Sequence, residues 1–276
     1  MNGLLFIDKP ERLTSHDVVH KISLATHTKK VGHTGTLDPL ATGVLIVCLG
    51  TYTKLVSRLT ATNKTYIFTI KFGIETDTGD ITGNKVSTSN IIPTEGEIVS
   101  AIFDFPKEYV QTVPLYSAVK VNGKRLYEYA RNNEVVELPK RTVSIYNLQV
   151  LSVDGDEATM IATVSKGTYI RSLVTDIAKC LHTLGTMKSL RRIKQGNIDI
   201  SECITLEEVN FDNLHTVKDI FPYEEYKLNE EELKKVLNGN ELVINLDSEY
   251  IIVTYEGKDI AFYNKCDNKY QIIMKL

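Results

Sequence analysis

The sequence predicts an α+β protein built on a mixed, largely antiparallel sheet with flanking helices, followed by a small β-rich C-terminal domain. Three observations carry this. Strand-like and helix-like segments interleave without the regular alternation that a doubly wound parallel sheet requires. Beyond Pro222 the chain turns into one short helix and several short alternating segments. With 276 residues, 42% hydrophobic and 24% charged, it has material for one large domain and a small one. Such a composition excludes disorder, collagen-like repeats and a disulfide scaffold.

In chain order, Gly3–Asp8 reads as a buried strand ended by Pro10. Thr14 reads as an N-cap with Asp17 three residues on, and Val18, Val19, Ile22 and Ala25 follow at helical spacing. Val44–Leu49 is a continuous apolar run and a buried strand. Tyr66, Phe68, Ile70 and Phe72 alternate with Ile67, Thr69 and Lys71, a strand that stops at Gly73. The acidic, glycine-bearing stretch Thr76–Gly83 is a loop, and Ile98, Val99 and Ile102 mark a helix. Ser117–Val121 runs into Asn122-Gly123, a hairpin signal, with a short helix over Arg125–Ala130. Val143–Val153 and Ala158–Val164 are strands joined around Gly155. Ile170, Leu173, Val174, Ile177 and Leu181 give a helix over Thr168–Leu184.

The acidic stretch Ser201–Glu225 reads as a linker. Asn229–Leu237 is a helix closed by Asn238-Gly239, and Leu242–Asn245, Tyr250–Tyr255, Ile260–Tyr263 and Tyr270–Met274 are strand-like. The expected partition is a domain over 1–221, linker included, and a small domain over 222–276. The latter is short for independent stability and should lean on the rest of the chain.

Charge is uneven. Residues 1–72 carry nine Lys/Arg against four Asp/Glu, 73–113 two against seven, 114–200 thirteen against eight, and 201–276 eight against sixteen. Two basic blocks folded onto one face would suit a polyanion; scattered, they are ordinary solvated surface. The four cysteines, Cys48, Cys180, Cys203 and Cys266, are far apart and read as core thiols in a reducing compartment. The N-terminus has no signal-peptide pattern, and no run reaches the roughly 20 apolar residues of a membrane helix. A cytoplasmic location is expected.

The densest segment runs from Val31 to Gly43, VGHTGTLDPLATG, where three glycines and three threonines surround the carboxylate of Asp38, with His33 five residues earlier. Glycines let backbone approach a ligand closely, and Pro39 stiffens the chain after Asp38. Neither a phosphate loop nor a dinucleotide fingerprint is present. A lone carboxylate works as base or nucleophile when a cation offsets its desolvation. Lys166–Leu173, KGTYIRSL, offers such a cation in Arg171, close to Tyr169 at a strand-to-helix transition; taken alone, the segment reads as a core tyrosine and a surface arginine.

GHTGTLDPLATGVL, KTY at Lys64–Tyr66 and KGTYIRSL together resemble the TruB family of tRNA pseudouridine synthases. LLFIDKP, SAVKVNGKRLYEYAR at Ser117–Arg131 and SLRRI at Ser189–Ile193 match as well, so the resemblance covers about 1–200 in one collinear order. It implies the pseudouridine synthase fold and conversion of a T-loop uridine of tRNA, position 55 in tRNA nomenclature, to pseudouridine. The base is flipped out, its C1′–N1 bond broken, and C1′ rejoined to C5. It implies no cofactor and no metal, tRNA as the partner, no obligate protein partner, and a monomer. A non-catalytic RNA-binding or RNA-folding module on the same scaffold is the competing class.

By the same resemblance Asp38 is the essential aspartate and Arg171 the arginine paired with it. Tyr66 stacks on the target base and assists removal of the C5 proton; on the residues alone it reads as an ordinary sheet-face aromatic. Tyr169 and Leu190 line the flipped uracil, Leu190 otherwise being plain core. His33 contacts the T-loop beside the extruded nucleotide. Lys9 falls near the active centre, among the substrate-contacting positions, and with Pro10 reads as a support. Lys29, Lys30, Lys120, Lys124, Arg125, Arg191 and Arg192 are expected phosphate contacts. The C-terminal segment loosely resembles a PUA-type RNA-binding domain, although its eleven Asp/Glu outnumber its seven Lys over 222–276.

Overall fold

A computed structural model describes all 276 residues, Met1–Leu276. Strand β1 (Gly3–Lys9) leads to helix α1 (Ser15–Ala25), strands β2 (Val31–His33) and β3 (Thr42–Leu49), a 3-10 turn over Gly50–Leu55, and helix α2 (Val56–Thr60). Next come β4 (Lys64–Phe72), the hairpin β5 (Ile74–Thr76) and β6 (Lys85–Thr88), α3 (Glu95–Phe103) and β7 (Glu108–Thr112). A second hairpin, β8 (Lys120–Val121) and β9 (Lys124–Arg125), runs into α4 (Leu126–Arg131), then β10 (Lys140–Asp154), β11 (Glu157–Val164), α5 (Ile170–Cys180), β12 (Gly185–Gln195) and β13 (Ile198–Asp199). The chain ends with β14 (Glu224–Lys227), α6 (Glu230–Leu237), β15 (Tyr250–Tyr255), β16 (Lys258–Cys266) and β17 (Lys269–Lys275). The class is α+β with a mixed, largely antiparallel sheet.

Two compact units are distinguishable. The first comprises Met1–Asp38, Val44–Thr60 and Asn197–Leu276; the second comprises Pro39–Gly43 and Ala61–Gly196. In the first, the apolar runs of β1 and β3 are buried on both faces. Leu4, Phe6, Val44, Ile46 and Cys48 enter one core, while Leu5, Ile7, Leu45, Val47 and Leu49 enter another with Val18 and Ile22 of α1. Continuous rather than alternating hydrophobicity is what two-sided burial demands. The capping box at α1 forms as expected: Thr14 Oγ1 accepts the Asp17 N–H at 3.0 Å, and Asp17 Oδ2 accepts the Thr14 N–H at 2.8 Å.

The C-terminal strands form a sheet ordered β14-β15-β16-β17. One face, with Ile252, Phe262, Ile273 and Met274, joins the core of Leu4, Phe6 and Ile46; the other packs on α6 through Ile251, Val253, Ala261 and Val236. The expected leaning is therefore a shared core. Leu242–Asn245 is not a strand: only Leu242 bridges, to Tyr270. The Tyr270 hydroxyl donates to the carbonyls of Leu246 and Ser248, so the segment is held by side chains instead of a ladder.

Residues 201–225 also differ from the expected loose linker. Ile204 and His215 pair with Ile7 and Leu4 of β1, and the His215 ring stacks on Phe6 at 4.0 Å. Of the four free cysteines only Cys48 is buried, where desolvation pushes its thiol up to about 12; Cys180 is exposed, which corrects the reading of all four as core thiols.

The second unit is an antiparallel sheet ordered β12-β4-β11-β10-β7. Along β4, Lys64, Tyr66, Phe68, Ile70 and Phe72 are buried and the residues between them only partly so, as the alternation requires. Helix α5 contributes Ile170, Leu173, Val174, Ile177 and Ala178 to the buried set. It ends at Cys180, short of the expected Leu184, because His182 takes a positive φ of 53°. The first two residues of β3, Thr42 and Gly43, pair in parallel with Arg191 and Arg192 of β12. There Gly43 has φ 103°, and a Cβ would stand 2.1 Å from the Arg192 carbonyl oxygen, so only glycine permits the approach.

Candidate functional site

The expected site residues fall into two groups, one in each unit. In the first unit, β2 ends at His33, and the chain turns through Thr34–Leu37 to Asp38. The His33 Nδ1 accepts the Gly35 N–H at 3.3 Å, which orients the half-buried ring by its own turn. Leu37 is 3% exposed, and its backbone is gripped from both sides by Ser15, the first residue of α1. Ser15 Oγ accepts the Leu37 N–H at 2.9 Å and donates to the Leu37 carbonyl at 3.3 Å. The residue before the half-buried Asp38 is thus held by a helix start. Lys9, 0% exposed, donates through Nζ to the carbonyls of Pro10 at 2.8 Å and Leu13 at 2.6 Å, tying the β1–α1 turn to the strand.

Sequence reasoning did not single out Ser15; the only signal is its place directly after the Thr14 cap. Ser15→Ala should raise local helix propensity and still destabilise the protein by about 1–3 kcal/mol, because the buried Leu37 N–H and carbonyl lose their partner. Thermal melting checks the stability. A roughly tenfold fall in turnover should accompany it as Asp38 loosens, and unchanged melting together with unchanged turnover would refute the assignment.

In the second unit, Tyr66 is 7% exposed on β4, opposite Ala162 of β11 and Arg192 of β12. Leu190, also 7% exposed, lies opposite Phe68, so Tyr66 and Leu190 share one sheet face as diagonal neighbours. Strand β11 ends at Val164, opposite Lys64, and five residues later Tyr169 precedes α5; the second pair of expected residues therefore follows from the end of the sheet where Tyr66 lies. Tyr169 is half-buried, with the Arg141 guanidinium carbon 5.6 Å from its ring centroid. Arg171 is 6% exposed and buried in the helix's first turn.

Its guanidinium is held by backbone. Nη1 donates to the Thr78 carbonyl and Nη2 to the Tyr116 carbonyl, both at 2.9 Å. The first belongs to the acidic loop Thr76–Gly83, which Asp80 organises by accepting the Thr82 N–H at 3.0 Å and the Thr78 hydroxyl at 3.1 Å. The loop that sequence reasoning left without a role presents a carbonyl to the arginine.

Positive charge gathers at the Tyr66 end of β4. Lys64 is 6% exposed with Nζ donating to the Thr62 carbonyl at 2.6 Å, and Arg192 is 1% exposed. Of the arginine pair expected to meet phosphates, only Arg191 is partly open to solvent, donating to Thr42 Oγ1 at 3.1 Å; the burial of Arg192 corrects its reading as a phosphate contact. Burial, reinforced by the charges of Arg192 and Lys166, brings the Lys64 ammonium from 10.5 down to about 8. The unfolded chain then holds more protons than the native one between about 8 and the ordinary lysine value near 10.4, so stability rises with pH across that window. Lys64→Met should abolish this gain: the melting-temperature difference, variant minus wild type, is largest at neutral pH and shrinks toward pH 10. A flat difference would show that the buried ammonium feels no such pressure.

Residues 23–170 match the family model described as TruB family pseudouridylate synthase (N terminal domain), and residues 171–244 that of the tRNA pseudouridylate synthase B C-terminal domain. A relative named tRNA pseudouridine synthase B, from Clostridium kluyveri, is 41% identical over 244 residues, spanning 87% of this chain and 84% of its own. Another so named, from Clostridium tetani, is 38% identical over 290 residues and spans 100% of both chains. Among solved structures, a chain of a Cbf5-Nop10-Gar1 complex gives a TM-score of 0.69 at 23% identity, covering 99% of this chain and 83% of that one. At that identity the likeness concerns the fold.

Proposed function

The chain belongs to the TruB family of pseudouridylate synthases, and we propose that it isomerises a uridine of tRNA, the T-loop uridine at position 55, to pseudouridine. The observation that carries this reading is the extent of the likeness to tRNA pseudouridine synthase B, which reaches both ends of the chain at 38% identity in the Clostridium tetani relative.

The roles follow from what the chemistry needs. A uridine stacked in a folded loop must be extruded, at a cost of a few kcal/mol, before its glycosidic bond is accessible. His33, fixed by its own turn, contacts the T-loop beside the extruded nucleotide. Tyr66 stacks on the uracil and assists loss of the C5 proton, and Tyr169 and Leu190 line the pocket. Asp38 is the essential carboxylate, and Arg171 the buried positive charge that the family resemblance pairs with it. Breaking C1′–N1, turning the base and joining C1′ to C5 moves the C5 proton off and leaves a proton on N1, so no atom is gained or lost. Lys9 supports the turn after β1. Lys29, Lys30, Lys120, Lys124, Arg125 and Arg191 meet phosphates, and RNA of this kind is read by loop shape and a splayed base.

Residues 222–276 form the small PUA-like domain, and 1–221 the catalytic one. The enzyme works as a cytoplasmic monomer on the T-arm. Separately, no helix is long and apolar enough to cross a membrane.

Tritium release from C5-labelled uridine in an unmodified tRNA transcript, with no cofactor or metal added, tests this. Release mapping to position 55 is expected. Tight binding without release would replace the reading by the non-catalytic RNA-binding module.

A further inference from the structure

Helices α1, α3 and α6 begin with capping boxes made by their own residues, Thr14 with Asp17, Thr94 with Glu97 and Asn229 with Glu232. Helix α5 does not. Its N-cap residue is Tyr169, whose side chain makes no capping hydrogen bond. A tyrosine ring cannot fold back onto the first turn as a short hydroxyl or carboxylate does, so the start of this helix is not fixed locally.

It is fixed from β7. Gln111 pairs through its backbone with Arg141 of β10, and its side chain is 0% exposed. Oε1 accepts the Tyr169 N–H at 2.8 Å, and Nε2 donates to the Tyr169 carbonyl at 3.2 Å. The amide thus behaves as a detached peptide unit, making with Tyr169 the two bonds a neighbouring strand residue would make. The same carbonyl accepts the Leu173 N–H at 3.0 Å, the first turn of α5. Nε2 also donates to the Tyr109 hydroxyl at 2.7 Å, and burial together with the carboxylate of Asp176 on α5 pushes that hydroxyl's pKa up. One residue on, the Thr112 carbonyl accepts the Ser172 hydroxyl at 2.8 Å. Strand β7 therefore grips α5 at residues 169 and 172, on either side of Arg171. A buried amide is costly unless its groups are paired, and here its oxygen and nitrogen are both engaged.

We propose that Gln111 is a positioning residue for the reaction: its amide sets where α5 begins, and thereby where the Tyr169 ring and the Arg171 guanidinium stand, without touching RNA. The inference rests on the roles given above to Tyr169 and Arg171.

Two variants test it. Gln111→Leu keeps the volume and removes both bonds to Tyr169; turnover should fall about 100-fold, the loss that misplacement by about an ångström brings, while KM for tRNA stays within about threefold because the phosphate contacts are elsewhere. Gln111→Glu keeps the acceptor for the Tyr169 N–H but turns a second oxygen toward the Tyr169 carbonyl and the Tyr109 hydroxyl. The groups around it are Tyr109, Asp176 with its partner Lys179, Cys180 near Tyr109, and Arg141 over the Tyr169 ring. Only the protonated carboxyl restores a donor, and burial favours that form. Relative to wild type, the glutamate variant should therefore regain about tenfold in turnover as pH falls from about 8 to about 6.

A leucine variant within threefold of wild-type turnover, or a glutamate variant that follows the wild-type pH profile, overturns the proposal. Should the leucine variant not fold, the glutamate profile decides alone. Amide hydrogen exchange over residues 169–173 adds a readout independent of turnover: faster exchange in either variant supports the clamp, and unchanged exchange overturns it. A wild-type protein that binds tRNA and releases no tritium would defeat the functional reading, while exchange would still settle whether Gln111 fixes the turn.

Discussion

Asp38→Asn should abolish pseudouridine formation, by at least about 10⁴-fold, and leave tRNA affinity within about threefold. Asparagine has the size and shape of aspartate, and the chain just before it is held independently by the Ser15 hydroxyl on both polar groups of Leu37. Loop geometry therefore survives the change, and what is lost is a negative charge and a basic oxygen. Attack at C1′, attack on the base and removal of a ribose proton, the three roles open to this carboxylate, each need that charge. Affinity is set by cations meeting phosphates, and a neutralised carboxylate releases no counterion from RNA. Tritium release under single-turnover conditions, with tRNA binding followed at several salt concentrations, gives both numbers. Turnover within tenfold of wild type would move the chemistry to another residue; affinity lost in step with turnover would make Asp38 a binding residue.

The sequence made the loop around Asp38 conspicuous, because glycine, threonine and proline are concentrated there for reasons of backbone geometry that do not depend on the rest of the fold. β1, β3 and β4 were legible for a related reason: two-sided burial writes a continuous apolar run and one-sided burial writes alternation. Strand β12 was not legible, although it lies beside β4. Its register slips at Met187/Ser189 and again at Arg192/Lys194, which breaks the period of two, and its inward positions include a charged residue, Arg192. Charged residues read as surface, so the strand appeared only as a basic patch. The segment after it reads as a linker because acidic residues are spread among its apolar ones, whereas it is attached to β1 by backbone pairing at Ile204 and His215 and by the His215 ring on Phe6. Site supports were hidden in the same way. Ser15, Gln111 and the carbonyls of Thr78 and Tyr116 act on backbone or through backbone, and such contacts leave little mark on residue type.

Arg171 carries the other large effect. Arg171→Met should lower turnover by about 10³-fold and stability by about 2–4 kcal/mol, and Arg171→Lys should retain at least about tenfold more turnover than the methionine variant. The guanidinium spans two carbonyls from different loops, Thr78 and Tyr116, through separate nitrogens. A planar fork can do this; a single ammonium cannot reach both in the same geometry. Methionine fills the volume but leaves both carbonyls without that donor and removes the positive charge. Lysine keeps the charge and loses one anchor. If Arg171 only braces the loops, turnover in both variants tracks stability and recovers when each is assayed well below its melting temperature. If its charge keeps Asp38 ionised, the methionine variant stays inactive while fully folded, and the lysine variant recovers part of the rate. Turnover measured about 20 °C below each variant's own midpoint separates the two, since a 1 kcal/mol loss moves the midpoint of a chain this size by only about 2–4 °C. A folded methionine variant within threefold of wild-type turnover would leave Arg171 as a structural residue and require another source for the offsetting charge.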